Sequence, residues 1–316
     1  MTSIENNGRF RQAISCLSPQ LCKKLLPYEN NLSSTAQEIR LRVNRPLTIV
    51  CPQVTYYVTQ NGGLVSAPIK NSMLMVNRAD ITDTFHNICN YSVYTRQNEI
   101  VNGYVTVYGG HRAGICGTAV FNNDKITNIR DISSINLRIA REYKGCAEKL
   151  YKKIGNFEKG VLICGAPCSG KTTVLRDLAR ILSTNENKTV SLIDERGELA
   201  GTTSGIFQND VGMCDVYDCY KKSEAMMQSI RSMAPDIIVC DEIGSQEDIK
   251  AVEQSVNSGV VIIATVHASS EYEIKHRENI QKLLKTGAFS KIVFLSNKNS
   301  PGEIVKIIDA GDMIVT

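Results

Sequence analysis

Residues 160–173 read GVLICGAPCSGKTT. An apolar run of strand length feeds directly into a glycine-rich turn, and a lysine and two threonines open the helical stretch that follows. From Gly165 to Thr172 the spacing is G-x-x-x-x-G-K-[ST], with Ala166, Pro167, Cys168 and Ser169 between the glycines and Thr173 just beyond. That pattern, between a strand and a helix, is a phosphate loop: its glycines let backbone N–H groups curl around phosphate oxygens, and the helix start adds positive potential. Residues Gly165, Ala166, Pro167, Cys168, Ser169, Gly170, Lys171, Thr172 and Thr173 are therefore the candidate nucleotide-binding set. Lys171 is placed to reach the β- and γ-phosphates, and the Thr172 hydroxyl to ligate a metal, which makes ATP and Mg²⁺ the expected cofactors.

Outward from the loop, short apolar runs alternate with helical stretches: GVLIC, TVSLID, DIIVC, VVIIAT and KIVFLS. Continuous apolar strands of this kind belong to a parallel sheet covered on both faces, so the fold class is α/β, doubly wound. The closing stretches KIVFLS and EIVKIIDA are expected as antiparallel edge strands. Three further pieces fall at strand ends, where such sheets gather ligands. PDIIVCDEIG delivers Asp241, a candidate Mg²⁺ ligand through water, and Glu242, a carboxylate to orient and polarise the attacking water. ATVHASS ends on Thr265 and His267, the latter a candidate sensor of the γ-phosphate. LIDERGEL brings Asp194, Glu195 and Glu198 with Arg196 among them, and Glu195 joins Glu242, His267 and Lys171 as a catalytic candidate.

Upstream the pattern changes. Residues 9–26 are predicted as one amphipathic helix ended by Pro27, and NRADITDTFHNICNYSVY as a helix started by Asn77 or Asp80. Around them EIRLRVN, PLTIV, VTYYVT, GYVTVYGG, RAGICGTAVF, KITNIR and SINLRIA alternate like strands of a small mixed sheet rich in antiparallel pairs. REYKGCAEKLYKKIGNFEKG is predicted as a charged, helical linker. The expected division is an α+β domain over 1–143 and an ATPase domain over 144–316, with no internal repeat.

At 316 residues the chain is long enough for two cores. Its 36 basic and 32 acidic residues leave a net charge of +4, too balanced to argue nucleic-acid binding. The first twenty residues lack the apolar centre of a signal peptide. The longest apolar run, VVIIATV, is far shorter than the ~20 residues that cross a bilayer. The expected location is cytosolic, without membrane insertion. Eleven cysteines contain no C-x-x-C pair, and the four histidines form no ligand cluster with them, so the thiols are read as reduced and non-ligating.

Together these pieces resemble the secretion ATPase superfamily of type II and type IV secretion and pilus-retraction motors, over roughly 160–285. SIRSMAPDIIVCDEIG, AVEQSVNSG and VVIIATVHASS look like its Walker B block, helix and histidine box, and LIDERGEL like its acidic box. Within it the chain is most similar to the stage III sporulation protein AA family, on EIRLRVNRPL, GHRAGICGTAV, ISSINLRIARE, LIDERGELAG and IRSMAPDIIVCDEIG, which extends the likeness to about 36–310. The resemblance implies a RecA-like P-loop NTPase domain behind a smaller α+β domain. It also implies a homo-oligomeric, hexameric ATPase of the mother cell, peripheral to a membrane complex. That ATPase would energise or assemble a channel to the forespore with membrane-embedded proteins of the same operon. Where those motors carry Gly before the Walker B glutamate and Arg soon after it, this chain has Asp241 and Gly244-Ser245, so one motor arginine is missing. Arg112, Arg138 and Arg141 of the first domain, and Arg231 of the second, are the candidates for an arginine finger. Strand alternation sets Arg138 opposite Leu137 and Ile139. The alternative reading is a nucleic-acid-binding P-loop ATPase or switch without a secretion role. A nucleotide or small-molecule kinase is disfavoured because the stretch after Walker B, GSQEDIKAVEQSV, is acidic and helical rather than a basic lid.

Overall fold

A computed structural model describes residues 8–122, 124–155, 157–202, 205–297 and 299–315. They fall into two compact units, one formed by 8–142 with 205–208 and the other by 143–202 with 209–315.

The first unit carries helices α1 (Arg9–Ser15), α2 (Pro19–Leu25) and α3 (Glu29–Leu32), then strands β1 (Glu38–Arg42), β2 (Arg45–Pro46), β3 (Thr48–Val50), β4 (Thr55–Val58), β5 (Leu64–Val65) and β6 (Met75–Val76). Helices α4 (Arg78–Ile88) and α5 (Gln97–Val101) and strands β7 (Tyr104–Val107), β8 (His111–Asn122) and β9 (Lys125–Arg138) complete it. The helix predicted over 9–26 is two helices. Pro19 lacks the N–H a helix interior needs, so the chain breaks there and Ser18 caps α2 through Leu21 N–H. Leu17, Leu21 and Leu25 keep their common buried face, which is why the period looked unbroken. Asn77, with Asp80 in reciprocal contact, caps α4.

Seven strands form one sheet in the order β5-β4-β3-β1-β9-β8-β7. Every pairing in it is antiparallel, not mixed as the sequence suggested. Parallel neighbours need a crossover of a dozen or more residues, whereas most of these strands are joined by short turns. KITNIR and SINLRIA are one long strand, β9, rather than two. Alternate residues such as Ile39, Leu41, Ile135 and Leu137 meet the apolar faces of α1, α2 and α4 in a single core.

The second unit contains α6 (Glu148–Ile154), β10 (Gly160–Gly165), α7 (Lys171–Asn185), β11 (Val190–Asp194), β12 (Asp215–Asp218), α8 (Lys222–Ser232) and β13 (Ile237–Cys240). It continues with α9 (Gln246–Asn257), β14 (Val261–His267), α10 (Glu271–His276), α11 (Glu278–Lys285), β15 (Phe289–Leu295) and β16 (Ile304–Asp309). The predicted linker helix is confined to α6, because Gly155 at φ 73° ends it. The sheet order is β12-β11-β13-β14-β10-β15-β16. All pairs are parallel except β15 with β16, so KIVFLS is an interior parallel strand and only EIVKIIDA is an antiparallel edge. Strand β12, too polar for the apolar-run criterion, is the other edge. Strands β10, β11 and β13 are buried along their whole length. Their alternate residues feed two cores: Leu162, Ile238 and Ile262 pack under α8, α9 and α11, while Val161, Val239 and Ile263 pack under α6 and α7. The strand ends are thereby held rigidly between two helical layers.

Candidate active site

The site is assembled by register. Gly165 lies beside His267 on the adjacent strand, and Cys240 pairs with both Ala264 and Ile193. The next residues along, Asp241, Thr265 and Asp194, therefore converge at the same sheet edge as the phosphate loop. Three sequence-distant motifs meet because parallel strands present all their C-terminal ends to one side.

The loop itself demands its glycines. A side chain at Gly165 would meet Ser169 Oγ at 2.4 Å, and one at Gly170, where φ is 89°, would meet Gly302 N at 2.7 Å. Gly302 N–H in turn donates to Ser169 O at 2.8 Å, bracing the loop from the segment after β15. Cys168 is exposed with φ 63°. The Lys171 ammonium donates to the carbonyls of Gly165 (2.9 Å) and Ala166 (3.0 Å) and lies 3.2 Å from His267 Nδ1. Burial lowers its pKa, opposed by the charges of Glu242 and Asp241.

Glu242 is held at its backbone and at both carboxylate oxygens. Its backbone is left-handed at φ 45°, and its N–H donates to the buried Thr265 hydroxyl at 2.8 Å. His267 Nε2 contacts Oε1 at 2.7 Å, and Arg196 Nη1 donates to Oε2 at 2.5 Å. With the Lys171 ammonium as donor to Nδ1, the matching assignment has His267 Nε2–H donating a hydrogen bond to Glu242 Oε1. Burial raises the Glu242 pKa, but the His267 hydrogen bond and the Arg196 charge outweigh it and the net shift is downward.

Asp241 is almost fully buried. Burial is the chief cause of a pKa pushed up to about 6; the Lys222 charge opposes the rise, while Asp194, Glu198 and Glu242 add to it. A carboxylate so placed gains from a divalent cation. Together with the orphaned, buried Ser169 Oγ, the glycine-shaped loop and the Lys171 ammonium beside it, its chemistry fits a nucleoside triphosphate, and Thr172 and Asp241 are the residues that could hold Mg²⁺.

The acidic turn divides its charges. Asp194, fully buried, accepts from the backbone N–H groups of Glu198, Leu199, Ala200 and Gly201. Glu195 pairs with the buried Lys222 at 2.7 Å; burial works against the lysine's charge, but the Glu195 hydrogen bond prevails and its pKa is raised. Arg196 goes to Glu242. Lys222 and Arg277 escaped the sequence reading. Arg277, at the junction of α10 and α11, donates to the His267 carbonyl and pairs with Glu273 at 2.6 Å. Its signal was only its place on the segment leaving β14. An open hollow of about 640 Å³ beside Glu242 is lined by Arg196, His267, Arg277, Asn279 and Ile280.

Among the finger candidates, Arg231 is exposed and lines a separate hollow with Gln228, Glu247 and Lys250, which includes no phosphate-loop residue. In the first unit Arg112 stacks over the Tyr104 ring at 4.0 Å, and Arg141 donates to Ala36 O at 3.0 Å. Arg138, exposed, stands between Glu38 and Arg112 in a row across three strands.

The family model for sporulation stage III, protein AA, matches residues 8–315. The chain belongs to this family. It is 36% identical over 279 residues to the stage III sporulation protein AA of Bacillus subtilis, covering 86% of each chain. Among solved structures it is similar to the Legionella pneumophila ATPase DotB, with a TM-score of 0.54 at 15% identity, over 88% of this chain and 76% of that one. The pilus retraction motor PilT with bound ADP aligns with a TM-score of 0.55 at 14% identity, over 86% and 77%. The fold is accordingly a RecA-like P-loop domain preceded by a smaller α+β unit. Among the described residues, no helix is long and apolar enough to cross a membrane.

Proposed function

We propose that this member of the stage III sporulation protein AA family is a Mg²⁺-dependent ATPase of the secretion type. It works as a homo-oligomeric, hexameric ring on the mother-cell side, docked on membrane-embedded proteins of its operon, and energises or assembles a channel to the forespore. The observation that carries the reading is the contact chain Lys171–His267–Glu242 at the mouth of the phosphate loop, with Asp241 buried beside it.

Each residue has a task. The loop N–H groups and the α7 N-terminus bind the phosphates, and Lys171 leaves the Gly165 and Ala166 carbonyls for the β/γ oxygens. Thr172 and Asp241 would hold Mg²⁺, which would supply neutralisation of the phosphate charge. Glu242 orients the attacking water and accepts its proton, while His267 reports the γ-phosphate to Glu242. Glu195 keeps Lys222 beside Asp241. Arg112, Arg138 and Arg141 are proposed to complete the site from a neighbouring chain, since closed rings are the usual symmetry of homo-oligomers.

Phosphate release with wild-type protein and two variants tests the reading. Lys171→Ala should lose nucleotide binding, and Glu242→Gln should bind ATP and fail to cleave it. Mixed with Arg138→Ala chains, Glu242→Gln chains should regain activity at interfaces that combine an intact glutamate and arginine. Wild-type turnover by Glu242→Gln would remove that residue from its role. A monomer in the presence of ATP would remove the ring.

A further inference from the structure

We propose that Arg196 is the positioning residue of the hydrolytic site: it anchors the far oxygen of Glu242 so that the carboxylate keeps its orientation when Lys171 turns to the nucleotide. The rate effect rests on the ATPase reading; the anchoring itself does not.

The acidic turn after β11 has three charged side chains in succession, and each has a different partner. Asp194 is consumed by four backbone N–H groups, and Glu195 by Lys222. Only Arg196 reaches the carboxylate that handles water.

Glu242 needs such an anchor. Its left-handed backbone and the Thr265 hydroxyl settle where the side chain departs, but a glutamate retains three rotatable bonds beyond that point. The two carboxylate oxygens are gripped from opposite sides, by His267 on Oε1 and Arg196 on Oε2, which defines the plane of the group. Each oxygen has two acceptor positions, so both grips leave room for a water. The His267 grip depends on Lys171, whose ammonium orients the imidazole through Nδ1. When Lys171 moves to phosphate oxygens that support is withdrawn. The Arg196 contact comes from the turn after β11, outside the phosphate loop, and does not run through Lys171. Arginine suits the task because its planar fork defines a direction as well as a charge; lysine supplies the charge alone. The Arg196 side chain is about half exposed (53%), so its replacement removes no core packing.

The experiment compares wild type, Arg196→Gln and Arg196→Lys in full-length protein. Two quantities are read: the ¹⁵N-imidazole spectrum of His267 without nucleotide, and the single-turnover ATP hydrolysis rate alongside affinity for a fluorescent ADP analogue. In wild type the His267 Nε2 proton, bonded to Glu242, should give a slowly exchanging resonance. Arg196→Gln should lose it and Arg196→Lys retain it in part. Hydrolysis by Arg196→Gln should fall roughly 10- to 100-fold, the scale of misplacing a catalytic group, with ADP affinity changed less than twofold. A His267 resonance unaltered in Arg196→Gln overturns the anchoring whether or not the chain hydrolyses ATP. Wild-type hydrolysis that survives Arg196→Gln undiminished overturns the positioning role. Absence of hydrolysis in wild type with the resonance lost in Arg196→Gln would instead fault the ATPase reading and leave the anchor standing.

Discussion

His111 opens β8 with no exposed surface, its Nδ1 accepting the Ala140 N–H at 3.0 Å. Burial, with a smaller contribution from the Arg9 charge, lowers its pKa to about 3. The unfolded chain titrates near the ordinary value of about 6.5. Above that value both states are neutral and His111 has no pH effect. Below it the unfolded state takes a proton the folded state refuses, so stability falls as pH falls, by about 1.4 kcal/mol per unit until the folded group titrates. From pH 7 to pH 5 the loss is about 2 kcal/mol. His111→Asn keeps an acceptor near Ala140 N–H and cannot titrate. It should be less stable at pH 7, from the volume it leaves, yet lose about 2 kcal/mol less than wild type between pH 7 and pH 5. Pulsed thiol labelling in urea, read on Cys51 and Cys89 in the core of the same unit, isolates this unit's unfolding from the other's. Equal losses in the two proteins would refute the assignment of a neutral, buried imidazole.

His267→Ala should lower turnover by roughly one to three orders of magnitude, the range for losing one transition-state hydrogen bond, with ADP affinity nearly unchanged; a matching loss of ADP affinity would make it a structural residue. Gly170→Ala forces a left-handed backbone and a contact with the 302 segment, so fluorescent-ADP titration should show at least a tenfold weakening, from about 1–3 kcal/mol of strain. Asp194→Ala leaves buried N–H groups without an acceptor at about 1–3 kcal/mol each, so thermal melting of the second unit should fall well below that of Glu195→Ala. If Asp194→Ala melted as wild type and failed only in turnover, the residue would be catalytic instead.

The chain's own order of residues determined a good deal. The phosphate loop, the apolar strands that carry it and the carboxylates at their ends are local signals, because strand burial and loop geometry depend on neighbours along the chain. The parallel sheet was legible for the same reason: GVLIC, DIIVC and VVIIAT are apolar on both faces. Edge strand β12 was not, since an edge tolerates the polar pattern of a loop. Nor was the break at Pro19, where the apolar period runs on through two helices. Which charge meets which was decided only by tertiary structure. Nothing in DERGE tells Asp194 to close a backbone turn, Glu195 to seek Lys222 and Arg196 to reach Glu242. The partners of Asp194 lie in its own turn, but Lys222 and Glu242 come from 27 and 46 residues along the chain, and the parallel register that brings β11, β13 and β14 together is what delivers Glu242.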